Sequence, residues 1–98
     1  MNIVLYSKHI GSNNNCLGIN VLKYLVNIPT VQIVACIVET KDELYNYCLD
    51  SNIKVQHNNN ISNTTNIDLL ISYGWGKLIP KDIINRSRLG GVNFHPAP

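Results

Sequence analysis

Ile3-Val4-Leu5-Tyr6 is a short, almost wholly apolar run at the start of the chain. A strand with one face in water alternates apolar and polar residues, whereas a strand covered on both faces does not need to. The run therefore predicts a central strand of a parallel sheet, and the remaining elements are read as the layers that cover it.

Outward from this strand, Ser7 to Asn15 is a polar loop. Leu17, Val21, Leu22 and Leu25 then recur at helical spacing. An Asn before Cys16 is the expected cap, and Asn27 and Pro29 mark the end of this helix. Val31 to Val38, rich in β-branched residues, predicts a second strand. Thr40 to Asp50 predicts a second helix, opened by Thr40 with Glu43 three residues later as a capping box. Ile53-Lys54-Val55-Gln56 alternates as a short edge strand does, and His57 to Asn66 is an Asn-rich loop. Asp68-Leu69-Leu70-Ile71-Ser72 returns to an apolar strand. A glycine-punctuated turn, a helix opening at Pro80 and a terminal strand through Val92 and Phe94 complete the order.

Strands alternating with helices indicate βαβ units, hence an α/β fold: a Rossmann-like parallel sheet with helices on both faces. In such sheets ligands bind at the carboxyl ends of the strands. Polar loops fall there at Ser7 to Asn15, at Ser72 to Leu78 and after Asn93. Ninety-eight residues allow one small domain, and no internal repeat or linker divides residues 1–98.

Composition narrows the function classes. The net charge of +2 is spread thinly, and the densest basic group, Lys77, Lys81, Arg86 and Arg88, reads as a solvated helix face, so no nucleic-acid partner is indicated. Cys16, Cys36 and Cys48 lack a Cys-x-x-Cys pair, so neither a disulfide framework nor a zinc site is expected. Cys36 lies within an apolar run and reads as a small core residue. No apolar run is long enough to span a bilayer and the N-terminus lacks a signal-peptide pattern, so a cytoplasmic protein is expected, with no metal. The oligomeric state is open.

Four stretches bear on chemistry. Gly11-Ser12-Asn13 stands between a strand and a helix, where backbone N–H groups favour an anion; a turn with an Asn cap accounts for it equally well. It is neither a G-x-G-x-x-G fingerprint nor a phosphate-binding loop. In Gly74-Trp75-Gly76-Lys77-Leu78-Ile79, two glycines around an aromatic let backbone approach a planar ligand, and Trp75 either stacks on that ligand or fills the core. Asn93 and His95 project from one face of the terminal strand, Val92 and Phe94 from the other, and Pro96-Ala97-Pro98 stops the strand. An amide that donates to an oxyanion beside an imidazole suits acyl transfer, with the nucleophile brought by the substrate; a His95 that merely caps the strand is the alternative. His9 and His57 lack metal-ligand spacing.

Asp68-Leu-Leu-Ile-Ser-Tyr-Gly-Trp-Gly-Lys-Leu-Ile-Pro80 and Gly91-Val-Asn-Phe-His-Pro-Ala-Pro98 resemble the N-terminal part of the folate-dependent formyltransferases, which include glycinamide ribonucleotide, methionyl-tRNA and nucleotide-sugar formyltransferases. In the glycinamide ribonucleotide members, the spacing from the folate-loop glycine to the catalytic Asn matches Gly74 to Asn93 without a gap. The resemblance implies transfer of a formyl group from 10-formyltetrahydrofolate to a small-molecule amine, an amino sugar nucleotide or similar. It implies Asn93 and His95 as catalytic residues, with Gly76, Lys77, Leu78 and Ile79 holding the pterin. It further implies Gly11, Ser12 and Asn13 at the substrate phosphate, although the stretch before the helix is longer here. The family continues past His-Pro to a Leu-Pro-x-Tyr-Arg-Gly-like segment and a third catalytic residue, an Asp. The sheet is therefore expected to be truncated at its C-terminal end, and the chain to have little or no activity alone. The competing expectation is a noncatalytic nucleotide- or anion-binding Rossmann-like module.

Overall fold

The structure, a computed structural model, describes residues 1–10, 16–57 and 66–94. In chain order the elements are β1 (Asn2–Ser7), α1 (Leu17–Val26), β2 (Gln32–Ile37), α2 (Glu43–Asp50), β3 (Val55–Gln56), β4 (Leu69–Tyr73), α3 (Lys81–Asn85) and β5 (Gly91–Phe94). The strands form one sheet in the order β3-β2-β1-β4-β5, and every pairing is parallel. This is the expected α/β, Rossmann-like arrangement. The chain runs outward from β1 to β3, then returns to β4 on the other side of β1, so the carboxyl ends of β1 and β4 flank a topological switch point.

β1 occupies the centre, and Ile3 through Ser7 are all buried. Its alternation divides the core in two. Val4 and Tyr6 pack with Ala35, Ile37, Leu70, Trp75 and Ile83 on the face covered by α3. Leu5 packs with Cys36 and Val38, and with Leu22 of α1 and Leu44 and Cys48 of α2, on the opposite face. Helices thus lie on both faces, as the double-sided apolar character of β1 requires.

Between Ile3 and Val4 the β1–β2 register slips: Ile3 pairs with Ile33, and Val4 with Ala35. Val34 is the extra residue of this bulge. It joins Ala35 on the α3 side while Ile33 and Cys36 face α1 and α2, so the inserted residue lets strict alternation resume beyond it.

Two helix starts differ from the sequence expectation. The N-cap of α2 is Asp42, whose Oδ1 accepts from Tyr45 N at 3.0 Å, rather than Thr40 in a capping box. Asp42 prevails because its Oδ2 also accepts from His9 N at 2.8 Å, so one carboxylate caps the helix and ties down the segment after β1. The N-cap of α1 is Cys16, which makes no side-chain cap bond. The Asn expected to cap α1 lies outside the described residues. All three cysteines are free and buried, as the composition suggests. The side-chain hydrogen bond with Cys48, reinforced by burial, pushes the Cys36 thiol well up, which leaves it a neutral core group.

At the base of the sheet, Asp68 accepts from Asn2 N at 2.7 Å and from Arg88 Nε at 3.0 Å. The backbone bond from Asn2 first, then Arg88, holds its carboxyl below the usual carboxylate range. One arm of the basic group is thereby used to join the segments before β4 and β5.

Gly18 fixes how closely α1 approaches β1. A Cβ there would lie 2.7 Å from the Lys8 carbonyl oxygen and 3.0 Å from Ser7 Oγ. The first obstacle is backbone and the second is tethered, since Ser7 Oγ donates to the Tyr73 carbonyl at 2.8 Å. Gly18→Ala is therefore expected to destabilise the fold by about 1 to 3 kcal/mol despite alanine's higher helix propensity. Urea unfolding checks this: a lower midpoint at unchanged slope is expected, and a raised midpoint would refute the close approach.

Candidate functional site

A cleft of about 390 Å³ opens on the α3 face, beside the carboxyl ends of β4 and β5. Its origin is local. Leu70 and Ser72 point to one side of β4 by strand periodicity, and the parallel register sets Leu70 beside Gly91 and Ser72 beside Asn93. These four residues make the floor. The segment Trp75 to Ile79 forms one wall and Ile84 of α3 contributes another. The volume falls in the range of small-molecule sites, which are about 300 to 1,000 Å³.

The walls have distinct reasons for their shape. Gly74, with φ 68, turns the chain sharply after β4, and its N–H donates to the Phe94 carbonyl at 3.0 Å, which anchors the turn to the end of β5. Trp75 then inserts into the core at 5% exposure, edge-on to Tyr6 at 5.3 Å and 75°. Of the two roles open to Trp75, filling the core is the one observed, although part of it borders the cleft. With Trp75 anchored, Gly76, Lys77 and Leu78 are left exposed, Leu78 at 94%. An apolar side chain this exposed gains nothing from the fold of its own chain.

Asn93 marks the polar end of the cleft. Ser72 Oγ donates to Asn93 Oδ1 at 2.8 Å, which turns the amide so that Nδ2 is its donor end. Ser72 itself is 7% exposed, so this orienting hydroxyl is held by the sheet. Phe94 leans on Tyr73 at 6.4 Å, whereas Val92, expected on the same side as Phe94, also borders the cleft.

Five of the nine site residues expected from sequence thus border one cleft: Asn93 with Gly76, Lys77, Leu78 and Ile79. His95 and Gly11, Ser12 and Asn13 lie outside the described residues. Leu70, Ile84 and Gly91 were not singled out in the sequence, and neither was Ser72 as a partner of Asn93. The one signal for Ser72 is a hydroxyl at the end of an apolar run, on the same face as Leu70. Among the described residues no cluster of His, Cys, Asp and Glu could hold a metal ion, and no helix is long and apolar enough to cross a membrane.

No protein-family model, no curated protein and no solved structure matches the chain in comparisons with known proteins.

Tyr6 backs the cleft through Trp75 and carries a testable electrostatic consequence. Its ring is fully buried, and its hydroxyl has no hydrogen-bond partner among the described residues. Burial, partly opposed by the Arg86 charge, pushes its pKa from 10.0 up to about 12. Because the folded state keeps the proton longer than the unfolded state does, stability is intact below pH 10 and declines as pH rises from about 10 to 12. Tyr6→Phe is expected to remove this component of the decline. At neutral pH it should leave stability unchanged or raise it by about 1 kcal/mol, since an unpaired buried hydroxyl is lost. Urea titrations of both proteins at several alkaline pH values provide the check; equal slopes against pH would refute it.

Proposed function

We propose that the chain serves transfer of a formyl group from 10-formyltetrahydrofolate to a small-molecule amine, an amino sugar nucleotide or similar, in the cytoplasm. The observation that supports this reading is the convergence of Asn93 with Gly76, Lys77, Leu78 and Ile79 around a single cleft. Both segments resemble the formyltransferase motif, and they border the same cleft.

The residues present fit the donor. Exposed Leu78 and half-buried Ile79 offer apolar contact to a planar ring, and the polar end at Asn93 lies against the same floor. When bound, formylfolate supplies an activated formyl carbon for attack by the substrate amine. Asn93 then acts through Nδ2, donating to the formyl oxygen as negative charge collects there, and Ser72 keeps that donor end turned correctly. In this reading His95, two residues further on in the sequence, assists the movement of the proton released by the amine.

Two measurements test the proposal. First, 5-formyltetrahydrofolate is expected to raise the thermal midpoint, by the equivalent of about 2.7 kcal/mol at a hundredfold excess over its Kd. Leu78→Ser should abolish that rise while changing intrinsic stability by less than about 0.5 kcal/mol, because Leu78 is 94% exposed. Second, with 10-formyltetrahydrofolate and a panel of amino sugar nucleotides, any formyl transfer should fall roughly 10²- to 10³-fold in Asn93→Ala, with folate binding retained. Absence of both folate stabilisation and transfer to any amine would reject the function.

A further inference from the structure

Two buried acceptors at the carboxyl end of the sheet, Glu39 Oε1 and Gln56 Oε1, have no hydrogen-bond partner among the described residues. Gln56 closes β3 and pairs in parallel register with Ile37, so its side chain shares the α3 face with that of Ile37. Glu39 lies two residues beyond Ile37, and a Cβ on Gly76 would stand 3.4 Å from its Oε1. The same Cβ would stand 3.6 Å from Nζ of Lys8, the residue after β1. A carboxylate and an ammonium thus reach one place from neighbouring strands, yet no ion pair joins them.

Enclosing an acceptor without a donor costs stability, so each such atom calls for a partner. What surrounds these atoms decides its chemistry. Both orphaned atoms are acceptors, so the partner must bring donors, and at more than one point. Lys8 offsets the charge of Glu39, so the place favours neither a cation nor an anion, and Lys8 itself needs an acceptor. Neighbouring hydroxyls meet these conditions together, since each donates one hydrogen and accepts others. Gly76 is exposed, which leaves the place open to a ligand. The topology agrees. The carboxyl ends of β1 and β4 flank the switch point, and in doubly wound folds that hold dinucleotides an acidic residue beyond the first βα turn accepts from a ribose hydroxyl.

From this we infer that Glu39 and Lys8 form a binding site for the vicinal diol of a ribose, Glu39 accepting from the hydroxyls and Lys8 donating to them, with Gln56 as a second acceptor on the β3 side. Gly76 borders both this site and the cleft of Asn93. The inference deepens the proposed function, on which it rests for the rest of the ligand: an amino sugar nucleotide carries such a ribose.

Uridine and adenosine 5′-monophosphates, their 2′,3′-dideoxy analogues and inorganic phosphate, titrated into the unaltered chain, Glu39→Ala and Glu39→Gln, test the site. Binding is followed by amide chemical shifts and folding by the thermal midpoint. At least one ribonucleotide should bind the unaltered chain, shift the Gly76 amide, and lose roughly tenfold or more in affinity when its diol is removed. Glu39→Ala should bind that ribonucleotide only as weakly as the dideoxy analogue, and Glu39→Gln should fall between. The midpoint of Glu39→Ala should be unchanged or higher, because Oε1 has no bond within the fold to lose. Equal affinity for the ribonucleotide and its dideoxy analogue would overturn the site, and so would a lower midpoint for Glu39→Ala. An affinity matched by inorganic phosphate would assign the binding to an anion and overturn it too. Should the ribonucleotide bind through Glu39 while 5-formyltetrahydrofolate does not bind, the diol site stands and the formyl-transfer reading falls. Should the folate bind and neither ribonucleotide bind at millimolar concentration, the diol site falls and that reading stands.

Discussion

The structure depends on the pairing of β1 with two parallel neighbours at once. Asn2 to Tyr6 pairs with β2, and Ile3 to Ser7 with β4, so both edges of the strand are used and both of its faces must be covered. Every later choice follows from that burial. The face carrying Leu5 takes α1 and α2, and the face carrying Val4 and Tyr6 takes Trp75 and α3. Trp75 is thus held by the centre of the sheet, and its anchoring displaces the next residues outward to become a wall of the cleft. The site begins as a by-product of covering β1.

This dependence explains what the sequence could and could not reveal. Ile3 to Tyr6 was legible because a strand apolar on both faces has few alternatives, and the βαβ order then set the layers. The bulge at Val34 was not legible, because Ile33, Val34 and Ala35 are all apolar and only the pairing partner distinguishes them. Thr40 and Glu43 form a sound local capping pattern. Asp42 displaces it through a contact with His9 from another part of the chain, which a local pattern does not contain.

The same division runs through the cleft. Asn93 and the segment Gly76 to Ile79 were legible as residues near carboxyl ends of strands, and parallel topology brings such ends together around one cleft. Ser72 was harder to see, since a single hydroxyl closing an apolar strand usually begins a loop. Its value appears only through the register that sets it beside Asn93. Trp75 shows what composition favours: a lone aromatic between two glycines can stack on a ligand but more often fills the core, and its burial and the 5.3 Å contact with Tyr6 bear out the core.

β5 is the strand on which fold and site share one support. All its residues are exposed, and among the described residues its only strand neighbour is β4, whose register sets the Asn93 backbone beside Ser72. Besides the ladder itself, this seam carries the bonds from Leu70 N to the Gly90 carbonyl at 3.0 Å, from Gly74 N to the Phe94 carbonyl at 3.0 Å, and from Ser72 Oγ to Asn93 Oδ1 at 2.8 Å. The first two fix the strand at its start and finish, and the third fixes the amide between them. An exposed edge strand contributes little apolar burial, so its geometry rests on directional bonds. Directional bonds are also what a donor aimed at developing charge requires, because its value falls once it is free to turn away. This edge of the sheet therefore owes its geometry more to hydrogen bonding than to packing, and it carries Asn93 at the cleft.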